Sequence, residues 1–351
     1  MRFTNFCLIL VLSVAFLSAQ VWAGGTDRIG TAGAQELRIP VGARSTALGG
    51  SAVADVSGVE ALFWNPAGAA HYEGTEAVFS YMKYIADIDL GHVGVVANLG
   101  NFGSIGTSIK VLDIGDIEVT SEDSPNEDNT TGEIFSPSFA VIGLTYARRM
   151  TDRVSFGITG MYISEKIMRE SATGVAFDFG FMYDVGWYGL KFGTVMKNYG
   201  PNMRFDGPDF EKVLTDPSFD PEAPAKTVKT ESASFDLPSY VQIGLSWSPY
   251  NVNGNRLSVM STFQSNNYSP DEYRIGAEYA LNDVLFLRAG YSSDFREEFG
   301  EDVESKTALR GLTFGAGIKT NLGATEVGLD YSWMKTEFFD DNQLFSLRFG
   351  F

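Results

Sequence analysis

Two histidines, His71 and His92, are the side chains of this 351-residue sequence best suited to acid–base chemistry near neutral pH. A Ser-His-Asp arrangement could be assembled around either one, but neither lies in a recognisable nucleophile motif. No spacing matches a metal site, and the glycines near Gly30, Gly33 and Gly42 do not form a strand-to-helix phosphate loop. The sequence therefore predicts a protein that is not an enzyme and has no catalytic residues, no metal and no cofactor.

The acidic stretch 122–128 (EDSPNED) could hold Ca²⁺ through its carboxylates, but it lacks the spacing of a defined calcium loop. We interpret it as a solvated loop. Cys7 is the only cysteine and lies in a segment that we expect to be removed, so the mature chain should have neither disulfides nor thiolate chemistry.

Charge is distributed unevenly along the chain. The net charge is −18, which argues against a nucleic-acid partner because phosphate binding needs concentrated Lys and Arg. The stretches 116–133, 201–237 and 292–310 together hold 21 acidic and 7 basic residues, or −14 of that total. The acidity is therefore expected to belong to loops.

Residues 1–23 are typical of an export signal. They contain Arg2, an apolar core from Phe6 to Leu17 and the small-residue cleavage site Val21-Trp22-Ala23. This core is too short to cross a bilayer as a helix. We expect the chain to be exported and exclude residues 1–23 from the fold.

From Thr75 onward, large apolar residues alternate with small or polar ones, which is typical of strands with one apolar face. In 324–333, for example, Val327, Leu329, Tyr331 and Trp333 share one face, and Glu326 and Asp330 share the other. The apolar face looks inward in a soluble sandwich and outward, to lipid, in a membrane barrel.

The number and spacing of the strands favour the barrel. Fourteen are predicted, an even count that lets an antiparallel barrel close without an unpaired edge. They lie near 75–84, 89–99, 103–114, 138–148, 154–163, 173–184, 189–199, 238–248, 256–264, 273–280, 285–291, 311–320, 324–333 and 342–351. We therefore predict an all-β, 14-stranded antiparallel transmembrane barrel formed by residues 75–351.

The connections alternate between short ones and the long acidic loops. Outer-membrane barrels have short periplasmic turns and longer extracellular loops. This rule predicts a bacterial outer-membrane location, with the acidic loops outside the cell and both termini in the periplasm. In the last strand Gln343, Phe345, Leu347, Phe349 and Phe351 share a face. This strand resembles the C-terminal signal by which the barrel assembly machinery recognises outer-membrane barrels.

Residues 42–70 interrupt this pattern. They are rich in Ala, Gly and Ser, and Ser57 with Glu60 is a possible capping box for a short helix that Pro66 ends. The alternatives are a plug inside the barrel and a surface loop with one helical turn. Small residues on the predicted inner face leave room for a plug: Gly157, Gly180, Gly193, Gly276, Gly290, Gly315 and Gly317. We favour the plug and assign residues 24–74 to a hatch segment.

The run from Ala32 to Ala70 resembles the N-terminal signature of the PorV/PorQ family of outer-membrane barrels, and residues 144–152 resemble the family's fourth strand and turn. The closest matches form a hatch motif: Arg44, Gly49, Gly50, Trp64, Asn65, Pro66, Ala67 and Gly68. The family is similar in fold to FadL-type transporters, fourteen-stranded barrels whose N-terminal hatch carries Asn-Pro-Ala. The resemblance implies such a hatch here.

Two functions stay open. The PorV resemblance implies a barrel that binds exported proteins, through their C-terminal signal domains, or other type IX secretion components. The loop 201–237 is then the candidate contact surface, with a plain solvated loop as the alternative. The FadL resemblance implies uptake of long-chain fatty acids or other hydrophobic compounds, with a candidate apolar pocket beside Leu62, Phe63 and Trp64. A porin or an outer-membrane enzyme has less support.

Overall fold

The computed structural model describes residue 28 and residues 30–120, 133–214, 226–294, 311–336 and 339–351. Fourteen long strands form one antiparallel sheet that closes on itself, because the last strand pairs with the first. The predicted barrel is confirmed. Within these described ranges, no helix is long and apolar enough to span a membrane.

The barrel strands agree with their predicted positions to within about four residues at each end. In chain order they are β1 Thr75–Lys83, β2 Asp89–Asn98, β3 Ser104–Asp113, β4 Ser138–Arg149, β5 Val154–Ile167, β6 Glu170–Asp184, β7 Lys191–Tyr199, β8 Tyr240–Val252, β9 Asn255–Asn266, β10 Glu272–Leu281, β11 Leu285–Asp294, β12 Gly311–Leu322, β13 Thr325–Met334 and β14 Asn342–Gly350.

Short strands and 3-10 turns lie in the connections between the barrel strands. Ile117–Glu118 pairs with Ile134–Phe135, Phe205–Asp206 pairs with the start of β6, and Glu211–Leu214 pairs with Lys226–Lys229. Single 3-10 turns lie at Ile85–Asp87, Gly100–Phe102 and Pro208–Phe210.

The apolar face of the wall looks outward and the polar face looks inward, which is the reverse of a soluble β-protein. Outward side chains are large, apolar and exposed, as at Leu144, Leu287 and Leu329, while Glu278 and Asp330 on the inner face are buried. A one-residue shift in register would turn these carboxylates towards the outside. The pattern fits a barrel surrounded by lipid and rules out the sandwich alternative.

The segment before β1 consists of short helices and lies inside the barrel. Two are α-helices, α1 Ala43–Ala47 and α2 Ala61–Trp64, and four are 3-10 helices, Gln35–Arg38, Ala52–Ala54, Gly58–Glu60 and Pro66–His71. We call residues 35–71 the hatch. Ser57 precedes the third 3-10 helix without a side-chain cap. The capping-box prediction is therefore wrong, because Glu76 of β1 binds the Val59 N–H (2.7 Å) and Glu60 binds Ser45 (2.8 Å).

The two ends of the barrel differ as predicted. At one end, the short-turn end, no connection between strands exceeds six residues, and the chain finishes there with Phe351 bonded to Thr75. The opposite, long-loop end carries the connections at 114–137, 200–239 and 295–310, the last of which lies outside the described residues. The acidic stretch 122–128 and the proposed export signal, residues 1–23, also lie outside them.

The N-terminal segment enters the barrel from the long-loop end. Arg28 binds Asp236 (3.0 Å) and Tyr268 (2.6 Å), and Ala32 pairs with Asp236, all in long-loop-end connections. The prediction that both termini lie at the short-turn end is therefore wrong for this segment. An even strand count fixes where β14 ends relative to β1, but it does not restrict a segment that crosses the lumen before β1 begins.

Candidate functional site

The hatch fits the lumen because inward glycines leave space for it. Six of the seven predicted glycines lie directly against hatch atoms, where a Cβ would collide. The contacts are Gly157 with Pro66 and Ala67, Gly180 with Asn65, Gly193 with Val53 and Ala54, Gly276 with Leu48 and Ser51, Gly290 with Leu48 and Gly49, and Gly315 with Ala47. Gly317 instead faces Asp330 and Arg288 of the wall. The hatch and the wall are therefore matched in shape.

A valine at Gly157 is expected to displace the hatch. Its Cβ would meet backbone atoms of Pro66 and Ala67, which cannot rotate away as a side chain could. We expect a loss of about 1–3 kcal/mol in the free energy of unfolding, as for other overpacked cores. Urea unfolding of the refolded barrel in lipid measures this loss.

Gly160→Val is the matched control on the same strand. A Cβ there lies 3.6 Å from the Phe177 ring, an ordinary contact, so its stability should stay close to wild type. Equal losses for the two variants would contradict a role for Gly157 in seating the hatch.

The Trp-Asn-Pro-Ala-Gly segment forms the turn that ends α2. The Asn65 side chain accepts a bond from the Ala67 N–H (3.2 Å) and donates to the backbone carbonyls of Val53 (2.9 Å) and Phe181 (3.3 Å). Pro66 begins the last 3-10 helix, and Gly68 lies against the Val56 carbonyl. Asn65 thus joins two parts of the hatch to strand β6.

The other residues of the hatch motif have equally specific places. The Trp64 indole N–H donates to the Val41 carbonyl (2.8 Å), and Arg44 binds Glu278 of β10 through two nitrogens (2.9 and 3.1 Å). Gly49 and Gly50 have φ of 66° and 75°, a conformation that disfavours larger residues. They turn the chain close to the β11 backbone and to Trp64.

A buried charge network connects the hatch to one side of the wall. Glu278 binds Arg44 and also Arg288 (2.7 Å), Arg288 binds Asp330 (2.6 Å), and Asp330 binds Arg348 (2.8 Å). The inward carboxylates follow from the alternation of the strands. Their arginine partners were not predicted, since pairing across strands depends on the register.

Asp55 attaches the hatch to a further strand of the wall, β7. It binds Lys191 (2.7 Å) and Arg44 (3.1 Å). Burial by itself raises the pKa of Asp55, but the charges of Lys191 and Arg44 outweigh burial and hold it below its usual value. Asp55 is therefore ionised at neutral pH, and these pairs persist.

Beneath the hatch, at the short-turn end, lies a polar cavity of about 440 Å³. Arg44, Asp55 and His71 line it together with charged side chains of the wall. Burial and the charge of Arg149 lower the pKa of His71 to about 4, so its imidazole is neutral near pH 7.

The two predicted histidines lie apart, one in the hatch and one in the wall. His71 Nε2 lies 2.8 Å from Ser155 Oγ, and Ser155 is fully buried. This contact attaches the end of the hatch to β5. His92 is buried on β2 and lines a 30 Å³ void beside Lys110 and Asp178. In the part of the chain that the structure describes, no cluster of three or more His, Cys, Asp or Glu could hold a metal ion.

Above the hatch, at the long-loop end, lies a larger apolar cavity of about 730 Å³. Phe63 and Trp64 of α2 form its floor, and the upper ends of the strands and their connections form its walls. Of the predicted pocket residues, Leu62 does not line it: this side chain packs against Gly94 and Gly106 of the wall. Aromatic and aliphatic side chains dominate the lining: Ile39, Tyr84, Ile88, Leu112, Phe139, Phe205, Phe235 and Met334.

Five charged side chains interrupt this apolar surface. Arg38 and Arg274 share Glu272, at 3.3 and 2.6 Å. Glu36 and Glu165 lie together elsewhere on the lining, and both are at least 96% buried. An apolar pocket with a few convergent polar groups has the composition of a small-molecule site.

The connection between β7 and β8 forms an arm over the cavity. Met203 pairs with Phe235, Phe205 packs on Phe235, and these residues share a core with Ala34 and Leu37 of the N-terminal segment. Beyond this base, the hairpin 211–214/226–229 is held by the ion pairs Lys229–Asp206 (2.5 Å) and Arg204–Glu231 (3.0 Å). We call residues 203–236 the arm, of which 215–225 lie outside the described residues.

The closing strand β14 presents one face outward, with Phe345 and Phe351 exposed. Leu347 and Phe349 belong to the same face and lie opposite Phe79 and Ala77 of β1. The pairing of β14 with β1 closes the barrel.

Comparison with known proteins gives a family and a fold. A family model described as "Type IX secretion system protein PorV" matches residues 24–215, and no curated protein matches the chain. The toluene transporter TodX of Pseudomonas putida aligns at 13% identity with a TM-score of 0.54, covering 87% of this chain and 95% of that one. A FadL homologue of Pseudomonas aeruginosa aligns at 13% identity with a TM-score of 0.51, covering 89% and 98%. At such identities these structures establish the FadL-like fold alone.

Proposed function

Since the chain belongs to the PorV family of type IX secretion system proteins, we propose that it is a non-enzymatic outer-membrane barrel that binds exported proteins or secretion partners at the cell surface. The observation that carries this proposal is the family match, which spans the hatch and the first seven strands. In the proposal, residues 1–23 are the export signal, 24–74 the hatch segment and 75–351 the barrel.

The filled lumen supports a binding role over an open pore. Six wall glycines and the Glu278 network hold the hatch across the lumen. A protein partner would then meet the connections at the long-loop end, which is the extracellular end by the usual asymmetry of outer-membrane barrels. The arm is our candidate contact surface, because its base is anchored in the barrel mouth and its hairpin projects.

The partners in this proposal differ by surface. Lipid covers the outward apolar faces, and the barrel assembly machinery recognises the outward side chains of β14, namely Phe345, Leu347, Phe349 and Phe351. Type IX components and the C-terminal signal domains of cargo bind the extracellular side.

Co-purification from native membranes tests the secretion proposal. We expect wild-type protein to bring down a secretion component or a signal-domain protein. Replacing residues 207–230 by a short Gly-Ser linker removes the hairpin and should abolish this co-purification. The base of the arm should stay in place, because Met203 still pairs with Phe235. A variant shortened between Ile117 and Phe135 controls for loop removal. Wild-type protein that brings down no such partner would refute the proposal.

The apolar cavity favours a second function, binding of a hydrophobic small molecule as in a FadL-like transporter. Its 730 Å³ lie within the usual range of ligand pockets, and Trp64 forms part of its floor. Purified protein should bind long-chain fatty acids, alkanes or other hydrophobic compounds, and Trp64→Ala should weaken that binding. Absence of binding across such ligands would exclude this function.

A further inference from the structure

The upper cavity contains a pair of carboxyl groups that the hatch and the wall bring together. Glu36 belongs to the first 3-10 helix of the hatch and Glu165 to β5, and both line the cavity. The two side chains are within hydrogen-bonding reach of each other, with exposed fractions of 3% and 4%.

Within the described part of the chain, no side chain other than Glu165 donates a hydrogen bond to either oxygen of Glu36. Lys110 donates instead to the backbone carbonyls of Glu36 (2.6 Å) and Ile39 (3.1 Å). A buried carboxyl that lacks a donor is unfavourable, and two adjacent carboxylates repel each other, so the pair retains a proton between them. Burial accordingly raises the pKa of Glu36.

The charge balance of the lining disfavours an acidic ligand. The lining holds three carboxyl groups and two guanidinium groups, and both guanidinium groups are engaged by Glu272. A ligand carboxylate would add a fourth acidic group and leave the Glu36 oxygens without donors. A ligand with N–H or O–H donors would satisfy them.

We propose that the upper cavity binds an amphiphile whose apolar body lies over Phe63 and Trp64 and whose hydrogen-bond-donating head, an ammonium group above all, is held by Glu36 and Glu165. This inference rests on the second proposed function, ligand binding in the same cavity, and it names the class of ligand. A charge-assisted hydrogen bond favours the ammonium head over a hydroxyl, and a hydroxyl over a carboxylate.

Three probes with the same twelve-carbon chain separate the head group from the body: dodecylamine, dodecanol and dodecanoate. Native mass spectrometry of the full mature barrel at pH 7.5 measures the bound fraction at one site. We expect the amine to bind at least about tenfold more tightly than the carboxylate, with the alcohol between them.

The double variant Glu36→Gln/Glu165→Gln keeps the size of both side chains and should abolish the preference for the amine. Glu326→Gln, which alters an ion pair with Lys319 near the short turns, should retain it. On an SDS gel, slower migration of the heated sample than of the unheated one verifies that each variant is a folded barrel.

The outcomes distinguish failure of this inference from failure of the second proposed function, ligand binding in the upper cavity. Binding of none of the three probes would refute ligand binding in the cavity, and the inference with it. Tightest binding of dodecanoate, or a preference for the amine that persists in the double variant, would leave a hydrophobic-ligand site in place and overturn the assignment to Glu36 and Glu165. If dodecanoate binds most tightly, the guanidinium groups of Arg38 and Arg274 would be the head-group site.

Discussion

Replacing Glu278 by alanine is expected to lower the free energy of unfolding by about 3–5 kcal/mol, the range found when one partner of a buried ion pair is removed. Glu278 is 1% exposed and binds Arg44 and Arg288, with Arg256 at 3.4 Å. Removal of its carboxylate leaves these guanidinium groups close together without their shared partner. Repulsion between them adds to the loss of hydrogen bonds.

Urea unfolding of the barrel in lipid bilayers measures this effect. Glu326→Ala is the control, because its ion pair with Lys319 (2.6 Å) joins two partly exposed side chains and is expected to contribute about 0–1 kcal/mol. Since Arg44 belongs to the hatch, Glu278→Ala should also make the hatch more sensitive to protease. A change below about 1 kcal/mol in the free energy of unfolding would show that water or another carboxylate replaces Glu278.

Deleting residues 42–70 is expected to convert the barrel from a closed state to an ion-conducting one. The deleted segment includes both α-helices and every hatch residue that contacts the six wall glycines. The wall itself should still close, because β14 pairs with β1 independently of the hatch. The inward charges of Glu278 and Asp330 would then face water.

Planar-bilayer recordings should show discrete conductance steps for the deletion variant and none above background for wild type. The variant shortened at 207–230 provides the control, since it loses a comparable length of chain outside the barrel wall. Identical conductance of wild type and the 42–70 deletion would mean that the hatch does not close the lumen.

The wall could be predicted from the sequence because its signal is local. Alternation at Val327, Leu329 and Tyr331 gives both the strand and its outward face, and the same rule applied fourteen times gives the barrel. The inward glycines predicted an occupied lumen for a similar reason: a missing side chain at a known position leaves space. Both inferences need only the strand period and the direction of each side chain.

The path of the hatch could not be predicted in this way, because its contacts are not periodic. Arg44 meets Glu278 across 234 residues of sequence, and Lys110 holds carbonyls of the hatch from β3. The capping-box prediction at Ser57 failed for the same reason: a carboxylate of the wall, Glu76, binds the free N–H group there. The apolar cavity is likewise assembled from strand ends, connections and α2, which no single stretch of sequence reveals.

The route of the N-terminal segment has a mechanical consequence. Its outer end is attached at Asp236, and its inner end continues into β1, which is bonded to Phe351 at the opposite rim. Because the hatch is attached at both ends of the barrel, it cannot leave the lumen on either side while both attachments persist. Tension applied to the arm is instead carried along residues 30–41 to the middle of the lumen. The segment therefore links the two ends of the barrel mechanically.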